Sequence, residues 1–376
     1  MKIKIYALLT AVSLLFSGCS LMDGSYVSVT PHQVQRPSTQ TAVISASDNM
    51  QLREALTDMI AEGRESAAIN VSDYPASMVE SGMASAVRHA MKNDPIGAYA
   101  VEEIQYELGT SAGQPAVAVR IEYGHSRIDI QRITRMKNLE EAQPLVAKAL
   151  RDCDAEVVML AEEYSEKDFV QMVEAYALEN PQLVMEIPQV SVNTYGAGTS
   201  RVVEVIFTYQ TGRDILRQMQ TQVKPVFDAA TLYVSDDSSS QQKYNQLYAF
   251  LMERFDYQVE TSITPAYSLL RNGIGDSRAF ATVYAAMCRA AGLECLVVTG
   301  TRDGELRTWN MVLDDVHYYH VDLLHCNERR RYMQKTDGQM QEYDWNRDAY
   351  PACSGAQAEA LPTTEPTEET LPEAEK

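Results

Sequence analysis

The sequence predicts an α+β chain in which two tandem α/β-hairpin modules precede a third unit of different order. Three observations carry that prediction. The middle of the chain matches itself at an offset of 86 residues. Each copy reads strand, helix, strand, strand. After position 226 the order changes to two helical stretches followed by three strand-like runs. Of the 376 residues, 45% are apolar and 22% charged, a globular balance with material for two or three domains. Lys and Arg total 32 against 52 Asp and Glu, a formal charge of −20 that repels phosphate backbones and argues against a nucleic-acid partner. The basic cluster Arg329-Arg330-Arg331 reads as a solvated turn.

At the N-terminus, Lys2 and Lys4 precede an apolar run from Ile5 to Phe16, and small residues follow, which is the pattern of a secretory signal over 1–18. Leu15-Phe16-Ser17-Gly18-Cys19 resembles a bacterial lipoprotein lipobox, with Phe16 where a branched aliphatic residue is usual. The resemblance implies that Cys19 is diacylated and holds the chain to the extracytoplasmic face of the cell membrane, where two acyl chains anchor stably. The alternative is a plain signal peptide with an incidental Cys. Residues 19–45, rich in Ser, Thr, Gln, Pro and Val, read as a flexible tether. Residues 354–376 carry Ala, Pro, Thr and Glu with almost nothing large and apolar, and are expected to form a disordered acidic tail.

The repeat occupies 46–225. Asn93-Asp94-Pro95 lies over Glu179-Asn180-Pro181, Tyr123 over Tyr209 and Arg127 over Arg213. Val119 and Ile121 lie over Val205 and Phe207, whereas Tyr74 and Tyr164 correspond only after a four-residue indel. The expected elements are a strand (Ala67–Val71; Val157–Leu160), a helix (Ala76–Lys92; Glu166–Leu178) and a hairpin (Ala98–Leu108 with Ala116–Tyr123; Leu183–Asn193 with Val202–Tyr209). A helical segment, Glu140–Arg151, bridges the copies. Two copies are too few for an open solenoid, so a compact pair is expected. His125, Arg127 and Asp129, like Arg213 and Asp214, read as charge pairing at strand ends.

The third unit spans 226–353. Ser238–Tyr257 has Tyr244, Leu247, Leu251 and Phe255 at helical spacing. Gly273 and Gly275 form a turn, and Asp276 is placed to cap the helix that opens at Ser277 and ends at Gly292. Strands are expected at Cys295–Thr299, Trp309–Leu313 and Tyr318–Asp322. This order resembles the transglutaminase-like domain, a branch of the papain-like fold. In that family a Cys opens the helix, a His-x-Trp comes next, and an Asp stands on the neighbouring strand. Ser277 takes the Cys position, Arg307 the His position, Trp309 the Trp position and Asp322 the Asp position, with Trp309 and Asp276 expected at the cleft.

Those departures bear on chemistry. A serine hydroxyl needs a neighbouring general base, and a guanidinium has no acceptor and stays protonated. The resemblance therefore implies a degenerate domain, with Arg307 paired to Asp322 beside Ser277 and the cleft retained as a site for peptide or cell-wall material. An active hydrolase or acyltransferase using Ser277, or a purely structural envelope spacer, are the alternatives. His320 reads as a packing residue. His317, His320, His325 and Cys326 cannot converge as a metal set, because alternate residues of a strand face opposite ways. No cofactor is implied. Of the cysteines other than Cys19, Cys326 with Cys353 is the plausible disulfide, and Cys288 and Cys295 read as buried small apolar residues.

Overall fold

The computed structural model describes residues 44–259 and 262–355. The signal segment, Cys19, the tether up to residue 43 and the tail beyond 355 lie outside the described residues.

In the first module a helix, α1 (Asn49–Ala61), is capped by Asp48, which accepts from the Met50 and Gln51 amides. Strand β1 (Ser66–Asn70) comes next, then α2 (Val79–Lys92) and a short helix, α3 (Pro95–Ala100). The hairpin β2 (Val101–Ser111) and β3 (Gln114–Tyr123) closes the module, with β3 central between β1 and β2. The start of the expected strand at Ala98 is therefore helical. Asp94 caps α3 by accepting from Gly97 N at 2.7 Å, and Pro95 at the first helical position suits the turn. A further short helix, α4 (Arg127–Arg132), is capped by a reciprocal Ser126–Asp129 pair.

The second module repeats the plan with β4 (Thr134–Met136), α5 (Gln143–Asp152), β5 (Glu156–Ala161), α6 (Phe169–Glu179), β6 (Gln189–Tyr195) and β7 (Arg201–Thr208), ordered β4-β5-β7-β6. The register carries the repeat. Tyr106 pairs with Val119 as Val192 pairs with Val205, and Ala67 opposes Val119 as Val157 opposes Val205. The indel lies between each first strand and its hairpin, so both sheets keep the same apolar face inward. Met159, Val173, Val203 and Val205 fill the second core.

Helix α7 (Arg213–Ala230) runs across position 226, where the expected boundary falls. Leu216, Val223 and Phe227 lie on one face and join the core of the third unit, so the helix belongs to that unit rather than to the repeat. Helix α8 (Ser240–Met252) starts at a Ser239–Gln242 capping box and ends before the expected Tyr257. Helix α9 (Ser277–Ala290) packs between α8 and a sheet of β8 (Cys295–Arg302), β9 (Glu305–Asp314), β10 (His317–Val321) and β11 (Tyr343–Asp344), ordered β10-β9-β8-β11. Gly300 lacks the Cβ that would collide with the Asp344 carbonyl and the Trp309 ring.

The expected Cys326–Cys353 disulfide is not formed. Cys153, Cys288, Cys295, Cys326 and Cys353 are all free and buried. The Cys326 sulfur instead accepts from the Met333 amide at 3.3 Å, while Cys353 sits in the core around Trp309. Among the described residues no helix is long and apolar enough to cross a membrane.

Candidate functional site

Three elements bring Ser277, Arg307 and Asp322 together. Asp276 accepts from the Ala279 amide at 2.8 Å and so fixes the start of α9, where Ser277 is the first residue. Strand β9 places Thr308 against that helix end, and its amide donates to Ser277 Oγ at 3.3 Å. The end of β10 delivers Asp322, which caps helix α10 (Leu323–Glu328) by accepting from Leu324 N and His325 N at 3.0 and 3.1 Å.

Arg307 binds Asp322 through both prongs, Nε to Oδ2 at 2.8 Å and a terminal nitrogen to Oδ1 at 2.9 Å. Only 11% of the Arg307 side chain and 4% of the Asp322 side chain are exposed. Tyr343 donates to Oδ2 as well, at 2.8 Å. Both carboxylate oxygens thus accept more than one hydrogen bond. Burial alone raises the pKa of Asp322, but Arg307, the His325 amide and Tyr343 outweigh it and hold the group below the usual carboxylate value. Burial pulls Arg307 down, and Asp322 more than restores it, leaving the guanidinium more firmly protonated than usual. The space bounded by Ser277, Thr308, Trp309 and Asp322 leaves no room for a water molecule.

Trp309, expected beside an open cleft, is fully buried. Its indole donates to His320 Nδ1 at 3.0 Å, and His320 Nε2 meets Asp337 Oδ1 at 2.8 Å. With Nδ1 accepting, the ring proton sits on Nε2 and is donated to Asp337. His320, Asp337 and Cys353 bring potential ligand atoms within 4.8 Å of one another. The Trp309 bond disfavours metal there, because it keeps the proton on the nitrogen that would have to bind the ion. Asp337 Oδ2 also accepts from Cys353 N, so the chain of bonds fastens the end of the domain to its core. His320 is buried with both nitrogens engaged and has no free one for Ser277. The contribution of Tyr343 is invisible in sequence, since it stands 21 residues beyond Asp322 and carries no motif.

The arrangement orients Ser277 and neutralises Asp322, and among the described residues the Ser277 hydroxyl accepts from Thr308 and donates to no side chain. Residues 228–323 match the family model of the transglutaminase-like superfamily. Similar solved structures include a TGase, 12% identical over 57% of this chain and 63% of that one, with a TM-score of 0.25. A candidate cysteine protease from Cytophaga hutchinsonii is 13% identical over 42% and 70%, with a TM-score of 0.25. A candidate protease from Parabacteroides distasonis is 11% identical over 68% and 39%, with a TM-score of 0.23. The chain thus spans less than two thirds of the length of the first of these. No curated protein matches the chain. The matched segment holds Ser277, Arg307, Trp309 and Asp322 together, and this part of the chain is a transglutaminase-like domain.

Proposed function

We propose that this is a lipid-anchored extracytoplasmic scaffold protein whose transglutaminase-like domain does not catalyse. One observation carries the reading: the position from which a base would serve Ser277 holds a guanidinium locked in two bonds to Asp322. A positioned general base is worth about 10²–10⁴ in rate, and a protonated arginine supplies none of it. The space bounded by Ser277, Thr308, Trp309 and Asp322 is an inner void too small for water, while Ser277 itself is half-exposed. A peptide or cell-wall ligand of this domain would have to lie outside that space. The membrane contact is assigned to lipid on Cys19, with the signal-like segment before it as support.

The test restores chemistry. Ser277→Cys combined with Arg307→His should react with a thiol-directed acyl-donor analogue, whereas the parent protein should remain unlabelled. Acylation of the parent at Ser277 would overturn the proposal in favour of an active acyltransferase or hydrolase. For the anchor, Cys19→Ala should move the protein from the membrane fraction to the soluble one.

A further inference from the structure

A groove of about 520 Å³ lies between the two repeat modules, within the 300–1,000 Å³ range typical of small-molecule sites. It is lined by Tyr99 of α3, Arg132 of α4, Leu145 and Lys148 of α5, and Glu156 and Val157 of β5. Tyr99 is only 4% exposed, and its hydroxyl has no hydrogen-bond partner. A buried hydroxyl without a partner is costly and therefore uncommon. The ring cannot swing away to find one. It is stacked on His125 with centroids 4.0 Å apart and abuts Tyr195 edge-on at 5.3 Å. Burial, reinforced by Glu156, Glu204 and Asp129, keeps the phenol protonated well above its usual range, so the group is a donor.

The charges around the groove divide into engaged and unengaged. Asp154 is paired with Arg213 at 2.7 Å, Lys148 with Asp152 at 2.9 Å, and Asp129 closes the cap at Ser126. Among the described residues neither Arg132 nor Glu156 has a salt-bridge partner. Leu145, Val157 and Val158 add apolar lining to the same groove.

We infer that this groove binds a small zwitterion, an aliphatic amino acid or dipeptide, with its carboxylate at Arg132, its ammonium at Glu156 and an acceptor oxygen on the Tyr99 hydroxyl. The inference does not depend on whether the transglutaminase-like domain is catalytic, since the groove is made wholly by the repeat modules. Unpartnered charges of both signs in one groove argue against a simple anion site, and the apolar lining selects against a purely polar ligand.

The test uses the full-length chain and calorimetric titration with L-leucine, Ala-Ala, Ala-Leu and Leu-Ala. At least one should bind saturably below about 10 mM, and N-acetylation or C-terminal amidation of that ligand should weaken it about tenfold, the loss of one charged contact. Preference among the four distinguishes a free amino acid from a dipeptide. Glu156→Gln should erase the penalty for acetylation, and Arg132→Gln the penalty for amidation. Tyr99→Phe should weaken binding about tenfold while leaving the unliganded melting temperature unchanged or raised, because it removes an unpartnered hydroxyl. Absence of saturable binding by all four, or binding indifferent to both caps, overturns the inference. So does a lowered melting temperature for Tyr99→Phe, which would mean that the hydroxyl is already satisfied within the fold.

Discussion

Two regions of this molecule gather charge, and they do so to opposite ends. Beside Ser277, Arg307 and Asp322 satisfy each other in a largely buried ion pair. In the groove between the repeats, Arg132 and Glu156 stand without salt-bridge partners around about 520 Å³, with an unpartnered hydroxyl at the wall. The first region is where the transglutaminase-like fold places chemistry, and its two charges are spent on each other. The second has no motif, and it is open. Family resemblance locates a site by ancestry, whereas unmet polar groups and free volume locate one by physics. Here the two criteria point to different halves of the chain.

The contrast breaks most sharply on removal of a buried charge. Asp322→Ala leaves Arg307 buried without its partner and is expected to cost about 3–5 kcal/mol in urea unfolding. A value near zero would mean that Arg307 escapes to solvent and that the closed site is not closed. Glu156→Gln, on an exposed strand end, should stay within about 0.5 kcal/mol.

The pH dependence sharpens the same comparison. Asp322 titrates below the ordinary carboxylate value when folded, so the unfolded chain takes up the proton first. Its contribution is complete above about pH 4 and is lost as pH falls through the folded value. His320 and His325 are also held low, chiefly by burial, so they draw stability down earlier, as pH falls below about 6.5. Urea midpoints measured from pH 8 to 3 should therefore decline in two stages, and Asp322→Asn should shrink the second stage without touching the first, Asp129 and Asp152 supplying the rest. A single stage in the parent would contradict this role for Asp322.

The smallest effect belongs to the residue at the nucleophile position. Ser277→Ala forfeits one 3.3 Å hydrogen bond at a partly exposed helix start and should change unfolding free energy by less than about 1 kcal/mol. A loss of several kcal/mol would give Ser277 a structural role that the geometry does not show. Alongside it, reductant should leave the melting temperature unmoved, since the five described cysteines are free.

The repeat is legible in the sequence because strand alternation and helix spacing are local patterns, and the pairings Tyr106–Val119 and Val192–Val205 carry the same register that the 86-residue offset implies. Helix α7 is not legible in the same way. Its sequence is largely polar and contains Pro225, and its apolar stripe of Leu216, Val223 and Phe227 becomes meaningful only against α8 and α9. The short helix α3 looks like strand in sequence, because the apolar run after Pro95 outweighs the Asp94 cap. The expectation of a Cys326–Cys353 bridge rests on count and compartment, and packing sends the two sulfurs to different surroundings.

What the sequence by itself determined is the strand, helix and hairpin plan of each repeat, the duplication, and which residue types stand at the transglutaminase-like positions. These arise from periodicity and residue chemistry, which need no knowledge of distant neighbours. Only the tertiary structure decided that Tyr343 completes the shell of Asp322, that Trp309 dictates the His320 tautomer, and that the Tyr99 hydroxyl is left without a partner. Hydrogen bonding between side chains depends on ångström-scale distances and direction, and those are set by how whole elements pack rather than by any pattern along the chain.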